Sequence, residues 1–164
     1  LKRARDTGLF YARSLGIEEV LQAPPLREIN YGRVSKKSKD WVEKHIPQHK
    51  KDPRFVYPGG ESFAQMQQRS VQCMETLAAR YPDQTLLIVA HAGVIRGLIS
   101  YFLQLDYADN LRRKITHRYI GDFLFEDGKC IRYNEMGAPS GYIKDGLITP
   151  PVQPGASAPQ PPTD

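Results

Sequence analysis

The sequence predicts an α/β domain with helices on both faces of a mostly parallel sheet. A short apolar, β-branched run from Thr85 to Ala90 is typical of a buried parallel strand. Apolar residues at helical spacing follow after Gly93, so a helix succeeds this strand directly. Farther along, two strand-like runs flank Asp127-Gly128, a dipeptide that favours a hairpin turn. Alternation of strand and helix favours the α/β class over a helical bundle or a β-sandwich.

The first elements follow from local signals in chain order. Arg3 to Leu15 predicts a helix, which ends at Gly16 because glycine adopts the left-handed conformation at little cost. Glu19 to Gln22 predicts a short strand, and the prolines Pro24-Pro25 end it. Lys39 to Ile46 predicts a short helix.

The central helix and the last two strands have clear boundaries. Ser62 followed by Gln65 is a capping-box start, and the helix it opens runs to about Tyr81. We interpret the apolar face of this helix as core packing and not as a cofactor site. That face consists of Phe63, Met66, Val71, Met74, Leu77 and Ala78. The final strands are predicted at Tyr119 to Phe125 and at Lys129 to Asn134.

The chain divides into one domain, residues 1–137, and a proline-rich tail, residues 138–164. From Pro150 onward, six of the last fifteen residues are proline. A segment of this composition cannot bury enough apolar surface to fold, so the tail is predicted to be disordered and partly polyproline II.

Composition limits the classes of function. With 164 residues, 40% of them hydrophobic and 25% charged, the chain can bury one core. No apolar run approaches the roughly 20 residues that span a bilayer, so no membrane partner is expected. Cys73 and Cys130 provide neither a disulfide framework nor a metal pattern. We therefore expect two free thiols, a cytoplasmic location, and no metal or other cofactor.

The net charge of +5 raises the question of nucleic-acid binding. Basic residues gather in Lys36 to Lys39 and in His45 to Arg54, where aromatic residues are sparse and no recognition motif occurs. The simplest interpretation is a solvated surface. The alternative is a basic rim that attracts small anionic substrates. A nucleic-acid partner is not predicted.

His91 directly follows the predicted strand and precedes the predicted helix. In open α/β sheets ligands bind at the carboxyl ends of strands, and a helix that begins there directs free N–H groups at the same point. An imidazole in this position suits an anion, and phosphate is the anion that we expect. The alternative is a histidine that merely caps a buried strand.

Three further sequence motifs, here called blocks, precede His91 in this order: Leu1 to Thr7, Leu26 to Gly32, and Pro58 to Phe63. With the His91-Ala92-Gly93 block they resemble the histidine phosphatase superfamily, which includes cofactor-dependent phosphoglycerate mutases and α-ribazole phosphatases. Four of the five blocks of that family are present, and the resemblance extends from residue 1 to about residue 136. It implies a three-layer α/β/α fold of the phosphoglycerate mutase type.

The fifth block, Arg-His-Gly, carries the nucleophilic histidine at the end of the family's first strand. The four histidines of this chain are His45, His49, His91 and His117, and none is preceded by Arg and followed by Gly. We therefore expect an amino-terminally truncated chain that lacks the first strand of the fold. The neighbours of that strand should then have unpaired edges or pair with another chain.

The resemblance also implies roles for individual residues. Arg3 matches the arginine that clamps the phosphoryl group, and Glu28 matches the carboxylate that serves as proton donor and then as base. His91 matches the second histidine, which donates to the phosphoryl oxygens, and the amide of Ala92 adds a backbone donor. No metal ligand is implied.

Two other positions, Glu61 and Ser62, are ambiguous. They either line the pocket or begin the helix that follows, where a carboxylate and a hydroxyl satisfy free N–H groups. We favour the structural role.

The resemblance implies a phosphomonoester hydrolase that acts through a phosphohistidine on a small phosphorylated metabolite. The short stretch from Glu28 to Gly60 favours the phosphatase branch, notably α-ribazole phosphatase-like proteins, over the mutases. Without the nucleophile, this chain alone should be inactive. The alternatives are a phosphoglycerate mutase and a non-catalytic module that binds anions or interacts with a partner. A homodimer is left open as the oligomeric state.

Overall fold

A computed structural model describes residues 1–136, 142–144 and 147–149 of the chain. Within these ranges the chain forms five α-helices and two antiparallel two-stranded sheets. The helices are α1 (Lys2–Ser14), α2 (Lys39–His45), α3 (Phe63–Arg80), α4 (Ala92–Phe102) and α5 (Tyr107–Arg112), and the strands are β1 (Ile120–Glu126), β2 (Lys129–Met136), β3 (Tyr142–Lys144) and β4 (Leu147–Thr149). Short 3-10 turns occupy Pro24–Leu26, Gly32–Val34 and Pro47–Lys50.

The predicted helices are confirmed to within one or two residues. Leu15 caps α1, and Gly16 follows it with a φ of 66°, as its position after the helix predicts. At the start of α3 the Gln65 amide donates to Ser62 Oγ (3.1 Å), and the Ser62 amide donates to Gln65 Oε1 (2.8 Å). This reciprocal pair is the predicted capping box. No helix in the described part of the chain combines the length and the apolar character that a membrane span requires.

The core lies between α3, α4 and the loops that precede α3. Met66, Val71 and Met74 are buried, which confirms the predicted packing face of α3. On α4, Val94 and Leu98 face them, and the remaining buried members of the cluster are Leu26, Ile29, Val34 and Tyr57. The core therefore holds the start of α4 against the loop that carries residues 26–34.

The hairpin of β1 and β2 is confirmed as predicted. The strands pair antiparallel, with Glu126 opposite Lys129, and a bulge interrupts the register between Leu124 and Phe125. Asp127 and Gly128 have φ values of 48° and 73°, the positive values that a tight hairpin turn of this kind requires. Of the predicted tail, β3 and β4 form a second antiparallel pair, and the rest lies outside the described residues.

A buried ion pair links the end of α5 to this hairpin. Arg113 is fully buried, and its guanidinium donates to Glu135 Oε2 (2.6 Å) and to the Tyr133 hydroxyl (3.2 Å). The Tyr119 and Tyr133 hydroxyls lie 3.0 Å apart, which extends the network. A Cβ at Gly121 would overlap the Tyr119 hydroxyl, so the absence of a side chain there makes room for the network.

The predicted parallel sheet was wrong for the described residues. Neither Glu19 to Gln22 nor Thr85 to Ala90 forms a strand, and the backbone of both segments makes no hydrogen bond within the described part of the chain. A strand exists only where a neighbour accepts and donates its ladder bonds, and local apolar sequence cannot supply that neighbour. Consistent with an open edge, Leu21 and Leu87 expose more than half of their surface.

The second segment is nevertheless anchored at its carboxyl end. Ile88 and Ala90 pack against the core, and the Val89 side chain approaches Gly8 of α1. Burial increases along the segment until it reaches His91, which is only 6% exposed. The histidine is therefore held in place even though the segment before it is unpaired.

Candidate active site

The site is built around the start of α4. His91 is the residue before the first turn, with extended backbone angles (φ −117°, ψ 155°), and its side chain makes no capping hydrogen bond. Ala92 is the first helical residue and is exposed, and its amide has no hydrogen-bond partner among the described residues. The free amide and the helix dipole together favour an anion at this point.

Glu28 reaches the same helix start from a loop 65 residues earlier in the sequence. Its Oε2 accepts from the Gly93 amide (3.3 Å) and its Oε1 accepts from the Ile29 amide (3.0 Å). A Cβ at position 93 would overlap Glu28 Oε1, so only glycine allows this approach. The carboxylate therefore lies against the first turn of α4 because residue 93 has no side chain.

Arg3 completes the cluster from the first turn of α1, where its side chain is exposed. Desolvation by burial lowers the pKa of His91. The Glu28 carboxylate opposes this decrease, whereas the Arg3 guanidinium and the amino terminus of Leu1 lower the pKa further. These interactions require the Glu28 carboxylate, the Arg3 guanidinium and the Leu1 amino group to lie near one imidazole. The structure thus places Arg3, Glu28, His91 and Ala92 near the start of α4, with the pKa of His91 below its usual value. The phosphate-binding and catalytic roles assigned to these residues stay predictions.

Glu61 and Ser62 have structural roles, as we favoured from the sequence. Ser62 is 2% exposed and caps α3. The Glu61 carboxylate accepts two hydrogen bonds from Arg69, Nε to Oε2 (2.9 Å) and Nη2 to Oε1 (2.7 Å), and one from the Asn30 amide (2.8 Å). Burial acts to raise the pKa of Glu61, but the bonds from Arg69 and Asn30 outweigh it and hold the pKa below its usual value.

Arg69 was missed by sequence reasoning, and it positions the loop that carries Glu28. Besides Glu61, its guanidinium donates to the carbonyl oxygens of Pro25 and Glu28, the latter at 3.4 Å. One side chain therefore holds the backbone on both sides of residues 26–27. The signal that could have indicated this role is the position of Arg69 in α3, between the fully buried Met66 and Ser70.

Two glycines bring this loop against the segment before α3. Gly32 has a φ of 54°, and a Cβ there would overlap the Pro58 carbonyl oxygen. A Cβ at Gly60 would overlap the Asn30 carbonyl oxygen. The backbones touch directly because neither residue has a side chain. This contact and the Arg69 hydrogen bonds fix the loop that presents Glu28.

Replacing Arg69 with methionine should lower the free energy of unfolding by about 1–3 kcal/mol, because a half-buried carboxylate and two carbonyl groups lose their donor. Urea unfolding monitored by circular dichroism measures this effect. Arg5→Met is the matched control, since the Arg5–Asp6 pair is exposed and should contribute less than about 0.5 kcal/mol. Equal losses in the two variants would contradict the role assigned to Arg69.

A groove of about 670 Å³ lies elsewhere, between the end of α4, α3 and the β1–β2 turn. Phe102, Tyr107 and Lys129 are among its lining residues, and none of the four predicted site residues lines it. Among the described residues, no three His, Cys, Asp or Glu side chains come close enough together to hold a metal ion.

The sequence profile of the histidine phosphatase superfamily (branch 1) matches residues 1–134. The chain belongs to this superfamily. The family predicted from the four sequence blocks is thereby confirmed. Since the match extends from α1 into β2, the cluster of Arg3, Glu28 and His91 lies wholly inside the histidine phosphatase domain.

Two curated relatives of this histidine phosphatase domain are enzymes. A metal-independent phosphoserine phosphatase of Arabidopsis thaliana is 30% identical over 117 residues, which is 68% of this chain and 49% of that protein. A 2,3-bisphosphoglycerate-dependent phosphoglycerate mutase of Methanosarcina mazei is 25% identical over 138 residues, 79% of this chain and 57% of that protein. The chain thus spans about half the length of the curated relatives that it matches.

The fold comparison agrees with the family. A mycobacterial glucosyl-3-phosphoglycerate phosphatase superposes with a TM-score of 0.67 at 23% identity, over 83% of this chain and 72% of that structure. At this level of identity the similarity concerns the fold. The domain therefore has the α/β fold of phosphoglycerate mutase-like proteins, although its described strands are antiparallel.

Proposed function

We propose that this chain supplies the acid–base and phosphate-binding side of a phosphomonoester hydrolase that acts on a small phosphorylated metabolite. The observation that carries the proposal is the Glu28 carboxylate on the first turn of α4, beside His91 and within reach of the Arg3 charge. Identity of 30% to a phosphoserine phosphatase supports hydrolysis as the reaction. The α-ribazole phosphatase-like subclass stays a prediction from the sequence.

The reaction proceeds in two steps in this proposal. A histidine nitrogen attacks phosphorus, the bond to the ester oxygen breaks, and Glu28 in its acid form gives its proton to the leaving alkoxide. Arg3, His91 and the Ala92 amide neutralise the phosphoryl oxygens during the transfer. Glu28, now a carboxylate, then takes a proton from water. The water oxygen bonds to phosphorus, the bond from phosphorus to the histidine nitrogen breaks, and inorganic phosphate and free histidine result.

The phosphate-carrying histidine lies outside these 164 residues in our proposal, because none of the four histidines has the Arg-His-Gly context of the family. The test is turnover of p-nitrophenyl phosphate in the presence of a chelator. We expect turnover by a longer protein that carries this chain and none by the 164-residue chain. Turnover by the purified chain that Glu28→Gln abolishes would contradict this assignment of the nucleophile.

Mutase activity is the second candidate, and the identity to a bisphosphoglycerate-dependent mutase favours it. The two activities differ in the acceptor of the phosphoryl group, which is water in a phosphatase and a second hydroxyl in a mutase. Isomerisation of 3-phosphoglycerate by the longer protein, faster than its hydrolysis, would replace our proposal with this one.

Replacing Gly93 with alanine should strengthen vanadate binding by the chain severalfold, because the new Cβ displaces the negatively charged Glu28 carboxylate from the start of α4. Isothermal titration calorimetry measures this change. Gly8→Ala is the matched control, since a Cβ there meets Val89 at an ordinary 3.8 Å and should leave binding unchanged. Both substitutions favour the helix by up to about 1 kcal/mol, so a change of binding that occurs in Gly93→Ala and not in Gly8→Ala cannot be attributed to unfolding.

Sulfate binding should strengthen as the pH falls below about 6.5, the ordinary pKa of histidine. The pKa of His91 is lowered by burial, so the imidazole is neutral at pH 7 and gains its charge only in more acidic solution. Sulfate suits this experiment because it stays a dianion throughout the range. His91→Gln should flatten the pH profile, and an unchanged profile in that variant would contradict an anion site at His91.

A further inference from the structure

The groove between α3, the end of α4 and the β1–β2 turn is lined by two pairs of aromatic rings. Phe63 and Tyr107 have ring centroids 5.3 Å apart, and Tyr101 and Phe102 have ring centroids 5.4 Å apart. Phe102 also packs edge-on against two phenylalanine rings of β1, which fixes this wall of the groove. The groove therefore presents ring surfaces that are held in place by their own packing.

This aromatic groove extends along α3. Phe63 is the first residue of α3, and Glu75, which also lines the groove, lies twelve positions later in the same helix. At a rise of about 1.5 Å per residue, the two positions are about 18 Å apart along the helix axis. A polyproline II segment rises about 3.1 Å per residue, so about six of its residues match this length.

The aromatic groove has hydrogen-bond donors that nothing in the described part of the chain uses. They are the Tyr101 hydroxyl, the Gln104 amide and the Lys129 ammonium group, all on exposed residues. A polyproline II segment complements them, because its carbonyl groups make no internal hydrogen bonds and proline has no N–H group. Glu75 is the one acidic lining residue of the described chain, and it can accept from a glutamine side chain of such a segment.

The chain itself contains a segment of this kind, which lies outside the described residues. Residues 150–164 include six prolines, and they form two Pro-x-x-Pro repeats, at 151–154 and at 159–162. The second repeat contains Gln160 between its prolines. Pro-x-x-Pro segments dock in aromatic-lined grooves because the polyproline II conformation is preformed and costs little entropy on binding.

This proline-rich segment begins close to the aromatic groove. It follows β4, which ends at Thr149 and pairs with β3, and β3 in turn contacts α5. The first residue of α5 is Tyr107, in the wall of the groove, and α5 is only about 9 Å long. The residues from Thr149 to Pro159 span up to about 31 Å as polyproline II, so the second repeat can reach the groove.

We propose that residues 150–164 dock in the aromatic groove in the polyproline II conformation. The rings of the groove pack against the prolines, and the free donors bind the carbonyl oxygens of the segment. Because the segment is tethered to the domain, its effective concentration at the groove is high. None of the four predicted site residues lines the groove, so this inference is independent of the proposed phosphatase function.

Nuclear magnetic resonance of the full chain tests the contact. The variant Pro151→Ala/Pro154→Ala/Pro159→Ala/Pro162→Ala loses both repeats and keeps the length of the segment. The amide resonances of residues 100–105 and 128–130, which contribute to the groove, should shift between the original chain and the variant. The amide resonances of α1 should stay in place. Unchanged resonances at the groove would overturn the proposal.

A free peptide with the sequence of residues 150–164 identifies the occupant. In calorimetric titration it should bind the proline-to-alanine variant at least about tenfold more tightly than the original chain, where the tethered segment competes for the groove. Equal affinity for the two proteins would overturn docking of the chain's own segment and would indicate a proline-rich segment of another protein as the occupant. Failure to bind either protein would overturn the groove as a proline-binding site.

Two substitutions in the proline-to-alanine variant assign peptide binding to the groove. Tyr101→Ala removes a ring that is 50% exposed, so the core stays intact, and the peptide affinity should fall about fivefold. Tyr11→Ala is the matched control, because its ring is 49% exposed on α1, outside the groove, and it should leave the affinity unchanged. Equal affinities of the two substituted proteins for the peptide would overturn the assignment.

Discussion

Replacing Arg113 with methionine should lower the free energy of unfolding by about 3–5 kcal/mol. The guanidinium is fully buried, and the substitution removes the cation that lies 2.6 Å from the Glu135 carboxylate, itself only 6% exposed. A buried carboxylate is costly without its cation, because the protein interior solvates charge far less well than water does. Since small domains have a total stability of about 5–15 kcal/mol, this one change removes a large fraction of it.

Urea unfolding monitored by far-ultraviolet circular dichroism measures the loss. Arg132→Met is the matched control, because the Arg132–Asp122 pair on the same hairpin is exposed and longer, at 3.6 Å. The double variant Arg113→Met/Glu135→Leu should recover much of the lost stability, since it removes both charges together. A single Arg113→Met variant as stable as Arg132→Met would contradict the importance of this pair.

Glu28→Gln should lower the kcat of a longer, active protein by about 10²–10⁴-fold, the usual contribution of a general acid and base. The amide can still accept a hydrogen bond from Gly93, so the loop keeps its position, but it can neither donate nor take the proton that the reaction requires. Steady-state hydrolysis of p-nitrophenyl phosphate measures the change. Glu126→Gln, an exposed position on β1, is the control and should leave kcat unchanged.

The same substitution should act in the opposite direction on binding. Removing a negative charge beside the anion site should strengthen sulfate binding by the 164-residue chain, by Coulomb's law. Loss of turnover together with tighter sulfate binding would separate a proton-transfer role from a structural one. Loss of both would indicate that Glu28 only supports the loop.

The helices and the hairpin could be predicted because their signals are local. The capping box of Ser62 and Gln65, the glycine after α1, and the Asp127-Gly128 turn each act within a few residues. The absence of a strand at residues 85–90 could not be predicted, because a strand depends on a neighbour that local sequence does not reveal. The apolar pattern of these residues predicts a buried strand, but the segment is unpaired, and only Ile88 and Ala90 at its carboxyl end pack against the core.

Residues of the candidate site could likewise be proposed from the sequence only where a sequence pattern marks them. The order of the sequence blocks indicated Arg3, Glu28 and His91, which the structure brings together. The role of Arg69 could not be predicted, because its partners lie 8 to 44 residues away along the chain and no local pattern marks it.

The unpaired segment before His91 has a consequence for hydrogen exchange. Amides of residues 85–89 make no backbone hydrogen bond in the described part of the chain, so their protons should exchange with deuterium nearly as fast as in an unfolded chain. Those of α4 should be protected. His91 therefore lies between a segment whose amides exchange fast and a helix whose amides exchange slowly. A polypeptide that paired with this segment would protect its amides and slow their exchange.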